Sequence, residues 1–334
     1  MDFQPSEDQR ALQEGIRSFC EGRFPAERFG ELEEQGAFDA SLWAELAEMG
    51  VLGLRVPTAE GGVGLGNADA VLVFAELGRR LLPGPILWSH LAAQLIEGSA
   101  TGEVVVGGLD RMGKNAGPVL VTHFESLDSL LVLRPEGVDR IEAGALDARA
   151  IGEPLDPLTP VHHVESLPEG ERLGGPELAS RLRLEGAALA AAQLLGIAEI
   201  TTELALAYAK EREQFDRPIG SFQAVKHILA DMFVRQEVAR ATVYAAGATL
   251  DQPDVGDLER AVSSAKITAG VAALKNSRAC IQVYGGMGYT WEVPAHYYLK
   301  RTWVLGSVYG NLEEHEERVA HRFSAQPSAA TPAA

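Results

Sequence analysis

The chain has 334 residues, 46% of them apolar and 23% charged, which is enough for a sizeable core in two or three subdomains. Lys and Arg total 29 against 47 Asp and Glu, a net charge of -18. That acidity argues against nucleic acid or an anionic membrane as the main partner, although a local arginine can still meet a phosphate-bearing ligand.

The two cysteines, Cys20 and Cys280, are far apart and form no metal or redox spacing, which reads as a reduced, cytoplasmic protein. The start, Met1 to Pro5, is acidic and lacks the basic and apolar regions of a signal peptide. No run of about 18 apolar residues predicts a membrane span.

Residues 1–100 read as an N-terminal helical domain. Ser6 and Gln9 form a capping box before an apolar face of Leu12, Ile16, Phe19 and Cys20. Ser41 can cap a second helix carrying Leu42, Leu46 and Met49. Asn67 opens a third through Val71, Phe74, Leu77 and Leu81, and Pro83-Gly84-Pro85 breaks it before a fourth with Leu87, Leu91 and Leu95. The Gly-rich run 61–66 invites a phosphate-loop reading. That fingerprint needs a preceding βαβ strand and a later acidic residue on a second strand, and neither is evident.

Residues 101–178 change character. Val104–Val106, Val119–Val121, Leu130–Leu133 and Val161–Val164 are short apolar runs between Gly, Pro and Asp, and they read as strands of a small β-domain. His162 and His163 invite a metal or base role. Neighbours on a strand point to opposite faces, and no third ligand is evident, so a packed or solvated role is expected.

Residues 179–325 return to helix. Leu184, Ala188, Ala191, Leu195 and Ala198 lie on an Ala-rich helix suited to close packing in a four-helix bundle. Asp257 caps a long helix with Ala261, Ala265, Thr268, Ala272 and Ala279, and a last helix starts near Pro294. Glu313, Glu314, Glu316 and Glu317 read as a solvated face. The tail, 326–334, is expected to be disordered.

Between the first two helices of this bundle, residues 208–235 carry the most information. Pro218 and Gly220 stop one helix, Ser221 can cap the next, and Phe222, Val225, Leu229 and Met232 make its buried stripe. Arg212 and Gln223 flank the connection. Arginine can fork onto a phosphate, and glutamine both gives and accepts a hydrogen bond. The plain alternative pairs Arg212 with Glu213 or Asp216 and makes Gln223 a cap.

Arg212-Glu-Gln-Phe-x-x-Pro-Ile-Gly-x-Phe-Gln-Ala-Val-Lys-His-x-Leu-Ala-Asp-Met closely resembles the helix-loop-helix signature of the acyl-CoA dehydrogenase family. A second family motif, Gln282-Val-Tyr-Gly-Gly-Met-Gly-Tyr-x-x-Glu-x-Pro, follows about 60 residues later, and the ordered pair is far more specific than a lone Gly-rich turn. The resemblance implies a mostly α fold with a small β middle domain. It also implies that Arg212, Gln214, Phe215, Gln223, Gln282, Gly285 and Gly286 meet the FAD of a neighbouring chain. The family's loop and strand motifs that cradle the flavin ring are not found in 100–178.

The family's reaction, α,β-dehydrogenation of an acyl-CoA thioester, needs a desolvated carboxylate base. At the commoner of its two sites this chain has Tyr309. At the other, ten residues before Gly196, it has Gly186. Glu185 is one residue off, about a 100° rotation on a helix. It stands as an alternative base against a plain structural role favoured by the helix dipole.

Three functions are compatible with these residues. The first is a short, non-catalytic subunit resembling those of the α2β2 enzymes that shorten steroid side chains. It would complete the FAD site of a full-length paralogous partner, which binds most of the acyl-CoA and passes electrons to an electron-transfer flavoprotein. The second is a self-sufficient acyl-CoA dehydrogenase using Glu185 or another acid. The third is a flavin-free scaffold subunit.

Overall fold

A computed structural model describes residues 4–113 and 117–325; the expected disordered tail lies outside them. The N-terminal helices are α1 (Glu7–Arg23), α2 (Phe29–Glu34), α3 (Ala40–Glu48), α4 (Asn67–Arg79) and α5 (Ile86–Ala92). The Ser6 capping box opens α1 as expected. Asp39, not Ser41, caps α3 by accepting from the Leu42 amide at 3.0 Å. Its carboxylate reaches the free amides better than a hydroxyl two residues inside the helix. Met49 falls at the end of that helix and is exposed.

Two small sheets follow. In the first, β1 (Val106–Asp110) pairs parallel with β3 (Ser129–Arg134), which pairs antiparallel with β4 (Gly137–Glu142) and that with β7 (Glu171–Gly174). The run Leu130–Leu133 is wholly buried, as expected of a strand covered on both faces. In the second, β2 (Val119–Thr122) and β5 (Ala148–Ala150) flank β6 (Val161–Val164).

The C-terminal helices are α6 (Pro176–Glu211), α7 (Gln223–Asp251), α8 (Leu258–Tyr284), α9 (Ala295–Ser307) and α10 (Leu312–Ala325). A fifth helix therefore joins the expected four. Leu312 follows a turn through Tyr309 and Gly310, both at positive φ, that separates it from α9. Helix α6 is long and apolar enough to cross a bilayer by length and composition alone. It is mostly buried inside the fold, because Ala and Gly let neighbouring helices close on every side of it.

The closest approach is between α4 and α6. A Cβ on Gly196 would lie 1.9 Å from the Ala75 carbonyl oxygen, and one on Gly78 2.2 Å from that of Gln193. Side chains then lock the layers. Asp251, at the end of α7, accepts from the Asn67 and Ala68 amides at 2.7 and 2.9 Å and so caps α4 from across the molecule. Arg301 on α9 pairs with buried Asp156 and also donates to the Leu158 carbonyl at 3.1 Å, tying α9 to the β region.

Candidate functional site

One end of the helical bundle gathers the family-motif residues. Helix α6 stops at Arg212, whose amide donates to the Tyr208 carbonyl at 2.8 Å and whose carbonyl accepts from Ile219 at 2.8 Å. Between these bonds lies a hairpin, β8 (Glu213–Gln214) and β9 (Arg217–Pro218). Phe215 and Asp216 form its turn with φ of 54° and 61°, the left-handed pair that a two-residue hairpin requires. Phe215 is thereby held out, 85% exposed. The Arg217 guanidinium lies 4.1 Å over the Phe222 ring.

Ser221 does not cap α7. It belongs to a short 3-10 turn, and Phe222 at the cap position offers no side-chain acceptor. The first amides of a 29-residue helix are left without a side-chain partner, a place that favours an anion. A small apolar cluster containing Ala205, Ala209, Met232, Cys280 and Ile281 pins the ends of α6, α7 and α8 together. Tyr208 stacks on Tyr284 at 4.2 Å.

Arg212, Gln223 and Gln282 are all exposed at this end. Among the described residues their side chains make no hydrogen bond or ion pair, so Arg212 pairs with neither Glu213 nor Asp216. Gln214 bonds only to its neighbour's carbonyl, that of Glu213, at 2.8 Å. An added Cβ on Gly285 or Gly286 would meet nothing within 4 Å. The missing side chains serve no internal packing and leave the backbone bare outward. A guanidinium, carboxamides and an uncapped helix start together form a donor set for phosphate oxygens.

A second locus lies where α6 meets the turn after α9. A Cβ on Gly186 would sit 2.5 Å from the Tyr309 ring, so the two candidate base positions face one another. Tyr309 is 1% exposed and its ring tilts against Trp88 at 4.8 Å. Among the described residues its hydroxyl has no hydrogen-bond partner, and burial, with Asp110 nearby, holds the phenol well above its usual range. Lys266, 3% exposed, donates to the carbonyls of Leu305 and Val308 at 2.8 and 2.7 Å. Burial pushes its ammonium down to about 7.

Glu185 faces away from this contact. It pairs with Arg55 at 3.1 Å and more distantly with Arg181 at 3.8 Å. Arg55 also donates to Asn67 Oδ1 at 3.0 Å and His90 Nε2 at 2.9 Å. Burial, then Arg55, push His90 down to about 3, so it stays a neutral acceptor. The alternative base is thus a member of a paired buried knot, well beyond the helix's first turn where the dipole acts.

Above Tyr309 and Trp88 opens a cleft of about 760 Å³, walled by Leu120, Leu155, Trp303 and the Asp110–Arg183 pair, whose separation is 2.8 Å. Glu314 lies 3.4 Å from Arg183, so it is not part of a purely solvated face. His162 is buried against Phe124, while His163 turns to the other side of the sheet and is half-buried. Among the described residues no group of three or more His, Cys, Asp or Glu could hold a metal ion. Lys266 and Trp88 were not foreseen. The one available signal was a charged residue within an Ala-rich apolar stripe of α8.

Residues 6–104 match the N-terminal domain of acyl-CoA dehydrogenases and residues 175–323 the C-terminal domain. The chain is 31% identical to acyl-CoA dehydrogenase IpdE2 of Mycobacterium tuberculosis, over 89% of this chain and 91% of that protein. The chain belongs to the acyl-CoA dehydrogenase family. It is an oxidoreductase of that family, built on the acyl-CoA dehydrogenase fold with helical domains at both ends and a small β region. Acyl-CoA dehydrogenase FadE34 of the same organism is 33% identical over 83% of this chain, which spans 41% of FadE34. A chain in the crystal structure of the ChsE4–ChsE5 complex from M. tuberculosis superposes with a TM-score of 0.86 at 24% identity, covering 98% of this chain and 100% of that one. FAD is the cofactor of acyl-CoA dehydrogenases. The exposed donors at the bundle end fit a dinucleotide's pyrophosphate.

Proposed function

We propose that this chain is the non-catalytic subunit of a heteromeric acyl-CoA dehydrogenase. It lends Arg212, Gln223 and Gln282, with Gln214, Phe215, Gly285 and Gly286 beside them, to the FAD of a full-length paralogous subunit. One pair of features carries this reading. The Arg212, Gln223 and Gln282 side chains face outward without partners among the described residues, while both positions for the base are occupied by Tyr309 and Gly186 in mutual contact.

When bound, FAD supplies the acceptor for the hydride that leaves the acyl β-carbon. This chain's part is to hold: Arg212 forks onto a phosphate, the α7 start adds its dipole, and the glutamines fix orientation. The partner supplies the proton-abstracting carboxylate and most of the thioester site. A steroid side-chain CoA ester is the proposed substrate, on the likeness to short members that lack the base. Electron-transfer flavoprotein is the proposed acceptor, and the cytoplasm, suited to two buried free cysteines, the proposed compartment. The proposed parts are 1–100, 101–178 and 179–325.

Co-expression of this chain with a full-length paralogue tests the reading. Arg212→Ala with Gln223→Ala is expected to lower the flavin retained by the purified complex at least tenfold and its activity with it. Flavin content and activity equal to the unmutated complex would instead favour a scaffold subunit with no part in the cofactor site.

A further inference from the structure

Large aromatic side chains meet glycine backbone twice at the second locus. The Tyr309 ring lies on Gly186 of α6. The Trp88 indole from α5 lies on Gly108 of β1, where a Cβ would come within 2.2 Å of it. The two rings touch each other. Any other residue at either glycine would expel a ring, so the arrangement is built from both sides.

Tyr309 adopts φ of 58°, a left-handed conformation that a bulky residue takes only when its surroundings impose it. Lys266 imposes it. Its ammonium binds carbonyls on both flanks of the tyrosine, Leu305 and Val308 before it and Gly310, at 3.5 Å, after it. The phenol oxygen makes no hydrogen bond among the described residues, so the ring acts by volume. The cleft of about 760 Å³ ends against these rings, and between the Tyr309 ring and Gly186 there is no room even for a methyl group.

We infer that Tyr309 is a plug in this chain's own acyl site and that Lys266 is the positioning residue that holds it there. The inference rests on the proposed non-catalytic role and extends it. Acyl-CoA thioesters are excluded from this subunit by its own ring, not merely left unreacted for want of an acid. In a two-chain assembly, thioester then binds only to the partner's copies.

The full chain is titrated with butyryl-CoA and with p-cresol, the tyrosine side chain as a free molecule. Neither is expected to bind the wild type or Tyr309→Phe, which keeps the ring. Tyr309→Ala is expected to take up one p-cresol per chain and to recover melting temperature on doing so, as truncated apolar cores do with matching ligands. A folded Tyr309→Ala chain that takes up no p-cresol, or a wild type that binds butyryl-CoA as well as Tyr309→Ala does, overturns the plug.

If the alanine variant does not fold, Tyr309→Val is scored in the same way, and Lys266→Met supplies a second measurement. Amide hydrogen exchange at 309–311 should accelerate at least tenfold there, with the N-terminal helices unchanged. Unaltered exchange in that turn overturns the tether. None of these readings involves flavin content, so a failure here leaves the bundle-end role standing, and loss of that role leaves these titrations interpretable.

Discussion

Arg212 and Glu185 show how differently two charged residues can be used. Arg212 is exposed and unpaired among the described residues, so Arg212→Ala should leave the chain's own unfolding free energy within about 0.5 kcal/mol of wild type, as urea titration would show. Under the proposed role, its effect is expected in the assembled flavin site instead. Glu185 is buried in an ion pair with Arg55. Glu185→Gln should cost about 1–3 kcal/mol of stability, because a carboxamide only partly satisfies the guanidinium. Dehydrogenase activity of the complex, assayed at a temperature where the variant is folded, should be unchanged. Loss of turnover without loss of stability would restore Glu185 as a base. The motif residues were legible because they sit in contiguous runs whose chemistry is local. Trp88 and Lys266 were not, since each takes its role from partners far along the chain: Trp88 from Tyr309, and Lys266 from the carbonyls that end α9.

At the scale of elements, periodicity identified the long helices because their apolar stripes are repeated over several turns. Strands β4, β5 and β7 escaped it. Gly137–Glu142, Ala148–Ala150 and Glu171–Gly174 carry few apolar residues, and their pairing is imposed by the neighbouring strands. The start of α3 lies at Asp39 and not at Ser41, because backbone geometry decides which oxygen reaches the free amides. The cap supplied by Asp251 to α4 could not be read at all, since it spans 184 residues of sequence. Asp251→Ala should destabilise the chain by about 1–2 kcal/mol, read as a lower urea midpoint at unchanged slope. Gly196→Ala forces a methyl into the Ala75 carbonyl and should cost about 1–3 kcal/mol or more. A neutral Gly196→Ala would mean that α4 and α6 do not approach as closely as described.

The whole molecule carries a set of buried neutral imidazoles that couples its stability to acid. His90, His123 and His315 are each pushed down to about 3 from the ordinary 6.5, chiefly by burial. Arg55 adds to this at His90, Arg301 at His123 and Lys266 at His315. As pH falls through 6.5 the unfolded chain takes up these protons and the folded chain does not. Stability present above pH 6.5 is therefore lost below it, with each histidine contributing up to about 1.4 kcal/mol per pH unit. The urea midpoint should drop steadily between pH 6.5 and 5; a flat profile there would show that the imidazoles are not held neutral. Lys266, pushed down to about 7, acts with the same sign at higher pH: stability rises as pH increases from about 7 towards 10.5.

On the scale of the assembly, the account rests on a division of labour between this chain and a full-length paralogue. The most direct measurement is the ratio of FAD to protein, from the visible spectrum, for this chain purified alone and for the co-expressed complex. A colourless, inactive chain alone and an active yellow complex with two FAD for every four chains are expected. A chain that is yellow by itself, holds one FAD per copy and oxidises an acyl-CoA thioester without a partner would contradict it.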